Sequence, residues 1–312
     1  PPPISTLFPY TTLFRSERIE SERRYSVSCA RFDGQAWSPA FTLEDVPDIW
    51  AGYMSALDAV IDTQGRLHVT WSGNWGPVFH RVADVRNTLD PAAWSKAVSY
   101  NVPAYLHEFF VDSSGTYHLI YIKYPGEQAP AVLYQRSSDA GLTWTTPANL
   151  ETGVPSGQDI WSLEAAFDGQ SGLHVAWTRT ERTTYLVKAV RYAQSLDAGN
   201  TWLAPFTVDE ATAAAPELIR MAAPELNVRG SAVAILWQGG GVINVGRRCR
   251  LSSDSGRSWG PIQQVFGDLH GKAGTDGSGY DATGSLQVAA QLRYPHGVYH
   301  AVWRNGAWSS PK

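Results

Sequence analysis

Apolar residues alternate with polar ones over short runs in this chain, and the runs recur. DTQGRLHVTW at 62–71, DSSGTYHLIY at 112–121, DGQSGLHVAW at 168–177 and DATGSLQVAA at 281–290 each join an Asp/Gly turn to an alternating stretch. SAVAILW at 231–237 is a degenerate fifth copy. A period of two, as in Leu67, Val69 and Trp71, predicts a β-strand, and the turn before it predicts an antiparallel hairpin. A second pattern alternates with the first. SSDAGLTW (137–144), SLDAGNTW (195–202) and SSDSGRSW (252–259) share Ser-x-Asp-x-Gly-x-[Thr/Ser]-Trp, with weaker copies ending at Trp37, Trp94 and Trp308. The six tryptophans are spaced by 49 to 58 residues. Each unit therefore holds both patterns. The unit after residue 50 reads as four strands: A at 53–61, B at 66–72, a loop near Trp75, C at 77–84, and D starting near Trp94. Four short antiparallel strands repeated every 50 or so residues predict propeller blades.

The Trp pattern has a structural explanation. Asp and Ser side chains bond nearby backbone N–H groups, glycine supplies a positive φ, and the Trp packs back under the turn. One copy per blade is a clasp for the C–D hairpin, whereas an active site is normally built once. His68, His118 and His174 are likewise repeat-position residues of different B strands. They are expected to bond across to a neighbouring strand, not to share a metal.

Composition agrees with the strand reading. Aromatics are 12% of 312 residues, charged residues 17%, and there are 28 glycines. A net charge of −4 and the lack of polybasic runs give no nucleic-acid footprint. No apolar run is long enough to span a bilayer. Cys29 and Cys249 match no metal or redox spacing, and two buried free thiols are the plainer reading over a bridge. Residues 1–16, PPPISTLFPYTTLFRS, lack the strand rhythm. They resemble translated sequencing-adapter sequence of the kind found on metagenomic fragments, and read as a non-native segment ahead of a single domain at 17–312.

The motif at Ser137, Asp139, Gly141, Trp144, at Ser195, Asp197, Gly199, Trp202, and at Ser252, Asp254, Gly256, Trp259 resembles the Asp box of the sialidase and BNR-repeat families. The resemblance implies an all-β, six-bladed sialidase-like β-propeller. Five units are full. A sixth is expected as one C–D hairpin, YSVSCARFDGQAWSPAFTL, so that the chain reads as N-terminally truncated.

Candidate chemistry falls on the end carrying the B–C and D–A connections, since loops on rigid scaffolds carry function. Three acids stand four residues before the turn Asp: Asp58, Glu108 and Glu164, with Pro224 and Gly277 at that count in the other units. They read as acid/base or sugar-hydroxyl ligands, or as a hydrogen-bonded lining. Asp-Ile-Trp recurs at 48–50 and 159–161. Trp50, Trp75 and Trp161 are stacking candidates for a sugar ring, or loop anchors. A sialidase needs arginines converging on the substrate carboxylate, a Tyr nucleophile activated by Glu, and an Asp acid/base. Arg179, Arg293 and Arg220 are the candidate arginines; Tyr53, Tyr105, Tyr124 and Tyr294 are the candidate tyrosines. The Phe/Tyr-Arg-Ile-Pro segment of that family does not occur here.

The sequence thus predicts a glycan-directed propeller, acting as an exo-glycoside hydrolase if arginines converge. The alternatives are a non-catalytic BNR-repeat protein binding protein or polysaccharide at the cell envelope, and a carbohydrate lyase. Expected partners are a glycan or polysaccharide, with no nucleic acid and no membrane span. No cofactor or metal is expected. The chain is expected to be monomeric and extracellular or envelope-bound.

Overall fold

A computed structural model describes residues 11–19, 24–47, 54–73, 76–123, 130–151, 153–212, 223–239 and 246–312. Among these residues the fold is all-β apart from two single turns of 3-10 helix, Val85–Asn87 and Pro91–Ala93. The strands form antiparallel sheets in which each pairs with its neighbour in sequence. The first sheet holds β1 (Thr11–Ile19), β2 (Arg24–Phe32) and β3 (Phe41–Pro47). The second holds β4 (Met54–Ile61), β5 (Arg66–Gly73), β6 (Pro77–Asp84) and β7 (Val98–Pro103). The third holds β8 (His107–Val111), β9 (Tyr117–Lys123), β10 (Ala131–Ser137) and β11 (Ala148–Asn149). The fourth holds β12 (Gln158–Phe167), β13 (Leu173–Glu181), β14 (Val187–Ser195) and β15 (Phe206–Glu210). The fifth holds β16 (Glu225–Arg229), β17 (Ala232–Gly239), β18 (Gly246–Ser252) and β19 (Gln263–Gln264). The sixth holds β20 (His270–Tyr280), β21 (Leu286–Tyr294), β22 (His296–Arg304) and β23 (Ala307–Trp308).

Two expectations change here. Residues 11–16, set aside as foreign to the fold, lie in β1, which pairs with β2 from Thr11↔Phe32 to Ile19↔Arg24. The first sheet therefore has three strands where a bare hairpin was expected. The reason is that β2 has a second edge of backbone N–H and C=O groups, and β1 pairs with it. The fourth strand of the second sheet starts at Val98, not near Trp94, because Pro91–Ala93 form a helical turn first. The remaining strands of that sheet lie within one residue of their predicted limits.

The turns form as their residues dictate. Asp62 Oδ1 accepts from the backbone N–H of Gln64 and Arg66, each at 2.9 Å. Asp112 and Asp281 repeat this with Ser114 and Thr116, and with Thr283 and Ser285. At the opposite corner Ser195 Oγ donates to Asp197 Oδ1 at 2.8 Å and accepts from Gly199 N–H at 2.8 Å. Asp197 also accepts from the N–H and hydroxyl of Thr201. The Ser137 and Ser252 copies superimpose on this scheme bond for bond. Gly256 shows why glycine is required. Its φ is +77°, and an added Cβ would lie 2.1 Å from the Tyr192 hydroxyl. Two of the clasps dock their hairpin on the preceding sheet: Trp259 meets Tyr192 edge-on at 4.9 Å, and Trp144 meets Tyr100 at 5.0 Å.

The chain forms two compact units. One comprises residues 1–128 and 133–148; the other comprises 129–132 and 149–312. In the first unit, Val27, Leu43, Val69, Trp71 and Trp94 make one core cluster, and Val78, Tyr100, Phe109 and Leu119 another. In the second, Val190, Tyr192, Ile235 and Trp237 make one cluster, and Leu236, Cys249, Val288 and Ala301 another. Each cluster lies between neighbouring sheets. The second strands are consequently covered on both faces, and β5 is buried at seven consecutive positions. The period of two therefore separates an apolar seam from a polar one, since His68, Thr70 and Ser72 are buried as completely as Trp71. Both cysteines are buried and free.

Candidate functional site

Strand pairing puts an acid at one register on four first strands. Asp58 pairs with Thr70, Glu108 with Ile120, Glu164 with Ala176 and Glu225 with Leu236; Gly277 holds the position opposite Ala289. Counting from the turn Asp had assigned this place in the fifth sheet to Pro224. The turn there is shorter by one residue. Five residues separate the paired Ile61 and Leu67, but four separate Val228 and Val233. Glu225 is therefore the fourth member, and it was legible only from pairing. All four acids are half-buried.

Two of these carboxylates, Asp58 and Glu225, reach the neighbouring first strand. In the first unit, Asp58 Oδ2 accepts from Phe109 N–H of β8 at 2.8 Å, and burial raises the Asp58 pKa. In the second unit, Glu225 accepts from the Ser278 hydroxyl of β20, at the register equivalent to Phe109. Glu108 and Glu164 also have interaction partners.

Around Glu225 the second unit assembles a larger polar group. Arg247, at the start of the third strand β18, pairs with Glu225 at 2.5 Å and with Asp276 of β20 at 2.9 Å. Gln238 of β17 donates to Asp276 at 2.9 Å, and Asn227 donates to Ser278 at 2.8 Å. The Arg247 side chain is 2% exposed, whereas Glu225 and Asp276 are 25% and 13% exposed. Three buried polar atoms here make no hydrogen bond: Gln238 Oε1 and the Nε and Nη2 of Arg247, the last of which still ion-pairs with Glu225. The group sits where first strands begin and second strands end, at the end of the sheets from which the sequence predicted function.

Among the described candidates of the second unit, Arg179 and Trp161 have partners of their own. Arg179 is held by Glu151 at 2.5 Å, and Glu151, fully buried, also takes Arg191 at 3.3 Å and the Trp177 indole N–H at 2.7 Å. Glu151 is a second residue, after Glu225, that sequence reasoning missed. It lies seven positions after Trp144, and Asp209 lies seven after Trp202. Asp209 repeats the arrangement with Trp237 and Arg248, at 2.8 and 2.9 Å. Glu44, seven after Trp37, pairs with Arg81. The spacing was visible, but no sequence rule links a post-clasp acid to a strand arginine.

Trp161 stands at a β-bulge between Ile160 and Ser162, and its ring meets Tyr185 edge-on at 5.4 Å. Its neighbour Asp159 is pinned bidentately by Arg182 at 2.8 and 3.0 Å. This corner is braced, as a loop anchor requires. Arg293 and Tyr294 are exposed at the β21–β22 tip, where Tyr294 lies over Gly271 and 5.4 Å from His270. Trp50, Trp75, Arg220, Tyr53 and Tyr124 lie outside the described residues.

The turn-end histidines form buried relays. His68 lies 3.2 Å from Asp62 and 3.0 Å from His80; His118 lies 3.3 Å from Asp112 and 2.9 Å from the Tyr134 hydroxyl. His174 lies 2.6 Å from the Tyr192 hydroxyl. These resemble acid–His–nucleophile lines, but all three rings are 0% exposed, so no substrate atom reaches them. Among the described residues no group of His, Cys, Asp or Glu could hold a metal ion, and no helix is long and apolar enough to cross a membrane.

No protein-family model and no curated relative matches the chain. Solved structures do. A PL25 ulvan lyase bound to -[GlcA(1-4)Rha3S]- is similar with a TM-score of 0.59 and 12% identity, over 96% of this chain and 80% of its own. AofleA from Arthrobotrys oligospora gives 0.53 at 11% identity, over 97% and 86%. The GH93 α-L-arabinofuranosidase of Fusarium graminearum, in complex with arabinobiose, gives 0.51 at 14% identity, over 83% and 80%. At such identities the likeness shows the fold, a β-propeller built of antiparallel sheets, four-stranded after the three-stranded first.

Proposed function

We propose that this chain is a glycan-directed β-propeller that binds saccharide at the end of the sheets where the first strands begin. The observation that carries this reading is the half-buried acid repeated at one register, Asp58, Glu108, Glu164 and Glu225, with Arg247, Asp276 and Gln238 gathered beside the last. Partly exposed carboxylates held by backbone and hydroxyl donors are pre-organised acceptors for sugar hydroxyls, which is how few polar groups orient a ligand. The similarity to a lyase and an arabinofuranosidase, each bound to saccharide, supports the same reading.

Binding is favoured over exo-sialidase chemistry. That reaction needs arginines free to grip a substrate carboxylate, and Arg179 is held by a fully buried glutamate. The propeller is placed outside the cell or on the envelope, where polysaccharide is encountered, and acts as a monomer. The test is affinity electrophoresis of the purified chain through gels carrying different polysaccharides. Retardation in at least one gel is expected, and Glu164→Gln should weaken it about tenfold, or about 1.4 kcal/mol. Unretarded migration in every gel would overturn the proposal.

A further inference from the structure

Among the described residues of the second unit, the charged groups at this end of the sheets hold one another. In the second unit Glu151 takes Arg179 and Arg191, and Asp209 takes Arg248. Arg247 is shared by two carboxylates, so the group around it carries an excess negative charge. Its exposure is graded as well. Solvent reaches Glu225 and Asp276, while the guanidinium lies behind them at 2%. A ligand arriving here meets carboxylate oxygens first.

The unmet hydrogen bonds point the same way. Glu225 and Asp276 are acceptors, and so is Gln238 Oε1, which has no partner although Gln238 is 7% exposed and its amide N–H is committed to Asp276. Gln238 Oε1 asks for a donor, while Glu225 and Asp276 already accept from Ser278, Gln238 and Arg247. A sugar hydroxyl donates and accepts, whereas a carboxylate or sulfate only accepts. The buried Arg247 Nε–H, also unpartnered, is a donor still to be met, and a hydroxyl oxygen suits it without bringing a third anion beside two others.

We infer that the saccharide recognised at the Glu225–Arg247–Asp276 group is uncharged, a neutral glycan presenting hydroxyls, and not a sialoside, uronate or sulfated chain. This rests on the glycan-directed reading and narrows it. The opposite expectation, drawn from a sialidase resemblance, needs a cation facing the ligand. Here the cation is enclosed by its own counter-ions.

The experiment uses the full chain and polygalacturonate before and after chemical reduction of its carboxyl groups. It adds gels with neutral arabinan, galactan and β-glucan, and gels with ulvan and a sialylated glycoprotein. The expected result is retardation by one or more neutral polymers, with affinity unchanged between about 50 mM and about 500 mM NaCl, since no ion pair is screened. Of the polygalacturonate pair, the reduced form should bind at least about tenfold tighter. Glu225→Gln should narrow that gap by admitting the charged polymer. Retention by anionic polymers alone, weakening with salt, overturns this inference and leaves the glycan-directed reading standing. Retention by neither class overturns both.

Discussion

His174 is enclosed on all sides, with its Nδ1 2.6 Å from the Tyr192 hydroxyl, and burial pushes its pKa down to about 4. Burial likewise brings His80 and His107 down to about 3. Each is neutral when folded near pH 6 and takes up a proton when unfolded below the ordinary value of 6.5. The unfolded chain then binds more protons, so stability present above about pH 6.5 is lost as pH falls toward about 4. Thermal melts between pH 8 and pH 4, taken in about half-unit steps, should show this decline, and a flat melting temperature would contradict the assignment of neutral buried histidines. At Gly256 the strain is steric. Gly256→Ala forces a Cβ into positive φ and onto the Tyr192 hydroxyl, so a loss of more than about 1 kcal/mol is expected in urea unfolding. Tyr192→Phe in that background should recover part of the loss, because it removes the atom in collision and leaves only the backbone strain. Trp202 is half-buried, so Trp202→Ala should cost less than the 3–5 kcal/mol or so expected of a fully enclosed ring such as Trp177.

At the scale of elements, the sheets are tied to each other by polar groups at repeat positions. Glu151 and Asp209 each receive an indole N–H from a second strand and an arginine from a third. Arg81 and Arg250 form another such pair. Each sends Nε to the carbonyl one residue past a clasp Trp and Nη1 to a carbonyl of the preceding sheet. Glu151→Gln would leave Arg179 and Arg191 without their buried counter-charge, which costs about 3–5 kcal/mol, read as a lower urea midpoint with ligand binding retained in the folded fraction. Much of this level was legible in the sequence. The Asp turns, the Trp clasp and the cross-strand histidines follow from residue chemistry that acts over a few positions. Glu151 was not legible, since its partners lie 26 to 40 residues away across a strand and a sheet. Glu225 was missed for a different reason. The count ran from a turn of variable length, when only the ladder of pairs keeps a constant register. The strand β1 was missed because its sequence, TTLFRSERI, alternates too weakly to be read without the edge it pairs with.

For the whole molecule, burial runs through the second strands and falls off at the fourth. β5, β13 and β17 are buried almost throughout, whereas β11, β19 and β23 are two residues long. Hydrogen exchange should therefore be slowest for β5, β13 and β17 and fastest for those short outer strands, and the reverse order would mean that the sheets open from within. The two ends of each sheet also carry different duties. One end is closed by Asp turns and clasps that repeat with little change; the other holds the acids and the paired arginines. The fifth sheet shows how separate they are. Its first turn, Gly230-Ser231, is one residue shorter than its counterparts, yet Glu225 keeps the register of Asp58. A change of length is absorbed in the turn and never reaches the far end of the strand. For anyone who wishes to fix this protein to a bead or a sensor chip, that is a practical gift: a cysteine or a short peptide tag grafted into the turns at Asp62 or Asp281 would tether the molecule by its closed end and leave the acid-bearing end facing the solution.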